Sequence, residues 1–127
     1  MPYSIIQSEL LKRIHDFQRH DDGSYSAAIT FDPAFTGFDG HFPGNPVVPA
    51  VCQLSALEVL VHLALGHQNL KLATISLMKC RAPLLPNDTA TFAFTISQND
   101  NDVIVKAVVS TPKLKNTSKF KLIFQHA

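Results

Sequence analysis

A histidine, a glycine turn and a proline-started helix lie within ten residues of this chain, in the segment 41–50 with the sequence HFPGNPVVPA. Imidazole is the side chain whose unperturbed pKa, about 6.5, lies nearest neutral pH, so His41 is a candidate base. A helix that begins at Pro49 presents free backbone N–H groups and a partial positive charge to a nearby oxygen. This spacing brings a titratable base beside the positive end of a helix, an arrangement suited to proton-transfer chemistry.

A histidine that transfers protons usually needs a second acid/base group, and the helix after Pro49 carries three polar residues, Ser55, Glu58 and His62. At 100° per residue they fall within about 60° of one another, which makes a polar stripe on an otherwise apolar helix. The usual role of a buried serine is a hydrogen bond to the carbonyl group four residues earlier. A buried carboxylate is costly without a partner, so Glu58 either pairs with His62 or acts as the acid.

Hydrophobic periodicity and turn residues place these groups on one long helix surrounded by strands. The predicted elements are strands over 10–19 and 24–32, a loop over 33–48, a helix over 49–65 that stops at Gly66, and strands over 70–81, 89–97, 102–111 and 117–125. A helix that is apolar on most faces must be covered by a curved antiparallel sheet. We therefore predict a single α+β domain over residues 1–127, with about six strands, and a dimer, because one helix leaves one face thinly covered.

The composition of the chain argues against several classes of function. The chain has 127 residues, 46% of them hydrophobic, and a formal net charge of +1, which is typical of a globular domain and argues against nucleic-acid binding. The longest apolar stretch, 47–65, is too polar for a membrane span, and the start of the chain has no signal-peptide layout. We expect a cytoplasmic protein with Cys52 and Cys80 reduced in its core. The histidine spacing predicts no metal site.

Two motifs together resemble the hot-dog fold dehydratases of the FabZ/FabA type, which act on 3-hydroxyacyl chains bound to acyl carrier protein. The segment 41–50 is similar to the family pattern H-F-x-G-x-P-φ-φ-P-G, and RAPLLPND at 81–88 is similar to its basic-Pro-φ-φ-Pro-Gly-Asp turn. The continuation VCQL at 51–54 most resembles the ApeI-like dehydratases of aryl-polyene clusters. The resemblance covers most of residues 20–125. It implies the hot-dog fold, one long central helix wrapped by a curved antiparallel sheet.

The resemblance also implies roles for individual residues. His41 would remove a proton from C2 of the acyl chain, and the N–H of Ala50 would bind the thioester carbonyl. The family's catalytic carboxylate falls fourteen residues after the histidine, where this chain has Ser55, so the second catalytic group is Ser55 or Glu58. The positions expected to bind substrate are Gly44, Val47, Pro49, Ala50 and Val51. No metal or cofactor is implied beyond the phosphopantetheine arm of the carrier protein.

Three functions stay open at this point. The first is a dehydratase, a hydro-lyase of fatty-acid, aryl-polyene or polyketide type synthesis. The second is a non-catalytic or half-site subunit of a heterodimer, because in these dimers the histidine and the acid of one site come from different subunits. The third is a hot-dog acyl thioesterase, in which Glu58 would position water. Acyl carrier protein and a second hot-dog subunit, identical or related, are the expected partners.

Overall fold

The computed structural model describes residues 4–36, 47–66 and 69–126. Its helices are α1 (Ile5–Arg13) and α2 (Ala50–Leu65), and its strands are β1 (Ile14–Arg19), β2 (Tyr25–Thr30), β3 (Leu70–Cys80), β4 (Thr89–Asn99), β5 (Asp102–Ser110) and β6 (Ser118–His126). Within these residues the six strands form one sheet in the order β1-β2-β4-β5-β6-β3, and each neighbouring pair is antiparallel. The predicted central helix and the four strands after it are confirmed, with boundaries shifted by two residues at most.

The prediction of a strand over residues 10–19 is wrong for its first four residues, which belong to α1. Ser4 begins this helix with a capping box: its Oγ accepts a hydrogen bond from the Gln7 N–H at 3.1 Å, and its own N–H donates to Gln7 Oε1 at 3.1 Å. Leu10 is fully buried, and α1 packs against α2. The central helix is therefore not the lone helix that the strand pattern suggested.

The core lies between α2 and the inner face of the sheet. Buried and more exposed residues alternate along β4, β5 and β6, as expected for strands with one covered face. The buried positions of α2 are Cys52, Gln53, Ala56, Leu57, Val59, Leu60 and Val61. Cys52 is thus a core residue as predicted, but Cys80 is exposed. The prediction for Cys80 fails because it ends β3, a strand at the edge of the sheet.

Among the strands that the structure describes, β3 is bonded to β6 alone, and most of its eleven residues are exposed. Ile75 and Met78 lie opposite the buried residues Leu122 and Phe120 of β6, so their side chains point to the inner face of the sheet. They are nevertheless 44% and 45% exposed, at an edge of the sheet. A long, apolar edge strand is a surface on which another chain can pair.

Among the described residues, none of the helices combines the length and apolar character needed to cross a membrane.

Two leucines on α2 test where the core lies. Leu60 is fully buried and Leu63 is 42% exposed. We expect Leu60→Ala to lower the free energy of unfolding by about 2–5 kcal/mol, since it removes core contacts and leaves a cavity, and Leu63→Ala to lower it by only about 0.5 kcal/mol. Urea unfolding at one fixed protein concentration measures both. Equal losses would contradict this placement of α2.

Candidate active site

The N-terminus of α2 carries backbone N–H groups without acceptors. Pro49 is the N-cap, in extended conformation (φ −60°, ψ 148°), and it supplies no side-chain hydrogen bond to the helix. The N–H groups of Cys52 and Gln53 both donate to the Pro49 carbonyl, at 3.0 and 3.4 Å. Within the described part of the chain, the N–H groups of Ala50 and Val51 have no hydrogen-bond acceptor. These two amides and the positive end of the helix can therefore bind a carbonyl oxygen or an anion.

A loop over residues 81–88 fixes this helix start to the sheet. The Val48 N–H donates to the carbonyl of Leu84 at 2.7 Å, and the Leu84 side chain is fully buried. In the same loop, the Asn87 N–H donates to the Phe31 carbonyl at 2.6 Å. Asn87 has a φ of 72°, a left-handed conformation that asparagine adopts more readily than most residues. The loop thereby joins the residues just before α2 to the chain that leaves β2.

The residues after β2 are held by α1. The Arg13 Nε donates to Asp32 Oδ1 at 2.7 Å, and this hydrogen bond lowers the pKa of Asp32. The Thr36 N–H donates to Glu9 Oε1 at 2.9 Å. Contacts of described residues therefore anchor the chain both before residue 37 and after residue 46. The predicted base His41 and the predicted Gly44 position lie between these anchors, outside the described residues.

Ser55 and Glu58 lie on one face of α2, as their spacing predicts, and both side chains are half-buried. Burial raises the pKa of the Glu58 carboxyl. Over the residues described here, that carboxylate takes part in no hydrogen bond or ion pair, so the Glu58–His62 pair that the spacing permits is not formed. A half-buried carboxyl with a raised pKa holds its proton closer to neutral pH, which suits a proton donor.

A cavity of about 320 Å³ opens beside the start of α2. The described residues that line it are Val47, Val48, Pro49, Ala50, Gln53, Cys80, Arg81, Ala82 and Pro83. Three of the positions predicted to bind substrate, Val47, Pro49 and Ala50, are thus brought together there. Val51 is not among the lining residues and is 62% exposed.

Gln53 is a lining residue that sequence reasoning missed. It is only 2% exposed, and its Oε1 is buried with no hydrogen-bond partner among the described residues. A glutamine three residues after Ala50 on an apolar helix was the available signal.

Within the described ranges, no group of three or more His, Cys, Asp or Glu side chains is arranged to hold a metal ion.

Known sequences resemble this chain over most of its length. The model of the ApeI-like family, described as ApeI dehydratase, matches residues 17–120. The 3-hydroxyacyl-(acyl-carrier-protein) dehydratase FabZ of Ehrlichia chaffeensis is 31% identical over 97 residues, which cover 73% of this chain and 57% of that protein. The FabZ of Koribacter versatilis is 35% identical over 86 residues, which cover 62% of this chain and 54% of that protein. The chain thus spans little more than half the length of these curated relatives.

Solved structures show the same fold at low sequence identity. The dehydratase heterocomplex ApeI:P from Xenorhabdus doucetiae superposes with a TM-score of 0.72 at 17% identity, covering 89% of this chain and 96% of that one. The PaaI protein of E. coli has a TM-score of 0.70 at 14% identity, covering 98% and 85%. The putative thioesterase yhdA from Lactococcus lactis has a TM-score of 0.74 at 13% identity, covering 98% of both chains. The predicted hot-dog fold is therefore confirmed.

The raised pKa of Glu58 predicts how its removal changes stability with pH. A carboxyl whose pKa is higher in the folded than in the unfolded protein makes the fold less stable as the pH rises through that folded pKa. We therefore expect Glu58→Gln to raise the free energy of unfolding at pH 7. The gain should vanish below the unfolded pKa of about 4.3, where the carboxyl is protonated in both states. Urea unfolding from pH 4 to pH 8 measures the difference.

Glu9→Gln is the matched control with the opposite sign. Hydrogen bonds from Thr36 lower the pKa of Glu9, so its contribution to stability is present above the unfolded pKa and is lost as the pH falls through the folded pKa. This variant should be less stable than the wild type at pH 7 and equal to it at low pH. A loss of stability at pH 7 in both variants would show that Glu58 has a charged partner, contrary to its surroundings here.

Proposed function

The chain belongs to the family of ApeI-like dehydratases, and from this membership we propose that it is a subunit of a 3-hydroxyacyl-(acyl carrier protein) dehydratase. The proposed reaction removes water from a 3-hydroxyacyl thioester and leaves a 2-enoyl thioester. One observation carries the proposal: Ala50, whose N–H has no acceptor among the described residues, lines a cavity at the start of α2. That is where a thioester carbonyl needs stabilisation when its neighbouring carbon loses a proton.

In the proposed mechanism His41 takes the proton from C2, and the negative charge that develops on the thioester oxygen is held by the Ala50 N–H. The bond from C3 to its hydroxyl oxygen then breaks, and the hydroxyl leaves as water after it receives a proton. Ala50 fits the oxyanion role because a backbone amide serves whatever its side chain, and because the helix dipole adds to its hydrogen bond.

The proton for the leaving hydroxyl has two candidate sources. Ser55 stands at the family's acid position, but an alcohol is far too weak an acid to protonate a leaving group. Glu58 of the same chain is favoured by its raised pKa and by the absence of a bonding partner among the described residues. A related subunit that keeps a carboxylate at the position of Ser55 is the other source, and it would make a heterodimer with one complete site.

A dimer is proposed in either case. The edge strand β3 leaves one row of backbone groups unpaired, and Ile75, Leu77 and Met78 are each at least 40% exposed. Pairing of a second hot-dog subunit along this edge would satisfy the backbone and cover the apolar side chains. A cytoplasmic location is proposed as well, and it fits two cysteines that form no disulfide.

Thioester hydrolysis is the less favoured chemistry. A thioesterase needs an ionised carboxylate to position or activate water, whereas burial of Glu58 favours its protonated form. The two reactions are separated by product, since hydrolysis releases a free acid and dehydration releases only water.

Replacing Ala50 by proline tests the oxyanion role. Ala50 is the first helical residue, where proline is tolerated, and Pro49 already has the extended conformation that a following proline requires. Ala50→Pro therefore removes the N–H while keeping the helix, and we expect kcat to fall by about 10²–10³-fold. Ala50→Gly keeps the N–H and should retain most of the activity. Mass spectrometry of a 3-hydroxyacyl carrier protein measures the water loss, and equal rates in the two variants would contradict the role.

Substitutions at Ser55 and Glu58 identify the acid. If Glu58 is the donor, the purified chain dehydrates its substrate and Glu58→Gln lowers the rate by about 10²–10⁴-fold. If a partner is the donor, the chain alone is inactive, and activity appears on adding a homologue with a carboxylate at this position. In both cases Ser55→Glu should raise the rate of the chain alone and the matched Ser55→Gln should not, while His41→Ala should abolish all activity. Failure of every combination would overturn the proposed reaction.

A further inference from the structure

Gln53 has an unused hydrogen-bonding group in a place where burial makes that costly. Its side chain is 2% exposed, lines the cavity at the start of α2, and leaves Oε1 without a partner among the described residues. A buried amide oxygen with no hydrogen bond is destabilising, and native proteins keep few of them. Because a carboxamide oxygen only accepts hydrogen bonds, the missing partner must be an N–H or O–H donor.

The position of Gln53 relates it to the proposed oxyanion donor. Gln53 and Ala50 are three residues apart, so they lie on neighbouring positions of one helix face, about 4.5 Å apart along the axis. Side chains of a helix lean toward its N-terminus, which brings the Gln53 carboxamide back toward the free amides. A ligand whose carbonyl rests on the Ala50 N–H therefore has its next few atoms beside Gln53.

The two sides of a bound thioester can be assigned to the two faces of α2. Gln53 and Ser55 are about 200° apart around the helix, at 100° per residue, and so they face nearly opposite directions. In the proposed reaction the 3-hydroxyl group lies on the side of Ser55, where the acid belongs. The other side of the thioester, which begins at sulfur, then lies toward Gln53. Arg81, an exposed cation, lines the same cavity.

We propose that the Gln53 Oε1 accepts a hydrogen bond from the amide N–H of the pantetheine arm that carries the acyl chain, and so positions the thioester on the Ala50 N–H. That amide nitrogen is separated from the sulfur by two carbons, a length comparable with the spacing of Ala50 and Gln53 along the helix. Gln53 is thus a positioning residue that recognises the carrier arm and takes no part in bond breaking. The inference rests on the proposed function for one point, the placement of the thioester with its carbonyl on Ala50 and its sulfur toward Gln53.

Gln53→Met is the test variant, because methionine keeps the length and flexibility of glutamine and removes its polar atoms. Two substrates with the same 3-hydroxyacyl group are compared, one a pantetheine thioester and the other a propane-1-thiol thioester, which has no amide. We expect the variant to raise KM about 3–10-fold for the pantetheine thioester, the effect of one neutral hydrogen bond. The propanethiol ester should show no such rise in KM, because it has no amide for Gln53 to bind. The thermal midpoint should hold or rise, because the variant removes an unpaired buried polar group.

A binding measurement separates this inference from the proposed reaction. Calorimetry with S-hexylpantetheine, an unreactive thioether, should show binding that Gln53→Met weakens about 3–10-fold, with hexyl propyl sulfide as the amide-free control. If that weakening occurs while no dehydration is found under any condition, the arm site stands and the proposed reaction fails. If the variant binds the thioether as tightly as the wild type, the inference is overturned. It is also overturned if both substrates slow equally, since Gln53 would then contact the acyl part or act only in folding.

Discussion

The hydrogen bond from the Val48 N–H to the Leu84 carbonyl is the constraint on which the candidate site depends. A backbone amide can stabilise an oxyanion only if it is already in place, because reorientation during the reaction would cancel its benefit. Here the residues just before α2 are bonded to a loop whose Leu84 side chain is fully buried. The loop is itself bonded to Phe31 at the end of β2. The position of the Ala50 N–H is thus fixed by the core and not by the helix alone.

Helix α2 is buried unevenly. Its covered faces carry aliphatic residues packed on the sheet, while Ser55 and Glu58 lie on a half-buried face. Full burial of Glu58 in an apolar core would cost far more than the fold could offset, and full exposure would leave its pKa near the ordinary value. A half-buried position is therefore what a carboxyl needs if it is to keep its proton near neutral pH. The edge of the sheet at β3 is the surface on which the proposed dimer would pair.

The sequence predicted the ends of α2 correctly, because residues that start and stop helices flank its apolar stretch. Pro49 and Gly66 mark the ends of α2, and Gly66 indeed has the left-handed φ of 69° that stops a helix. Sequence reasoning failed at residues 10–13, where a strand was predicted, because α1 depends on the Ser4 capping box and on packing against α2. The Glu58–His62 pair failed for a related reason. An i,i+4 spacing permits contact, but the directions of the two side chains are set by tertiary packing.

Gln53 is a residue of the candidate site that the sequence alone did not identify. Glutamine does not titrate, so a search for acids and bases passes over it. Only the three-dimensional structure shows that its oxygen is buried with no partner among the described residues. The unpaired oxygen destabilises the free protein, and a bound donor removes that destabilisation. Binding of such a ligand is therefore favoured. Gln53 and Ser55 face nearly opposite sides of one helix, within two turns of its N-terminus at Ala50. One helix can in this way hold a thioester at its N-terminus, bind the carrier arm on one side and present the departing hydroxyl on the other.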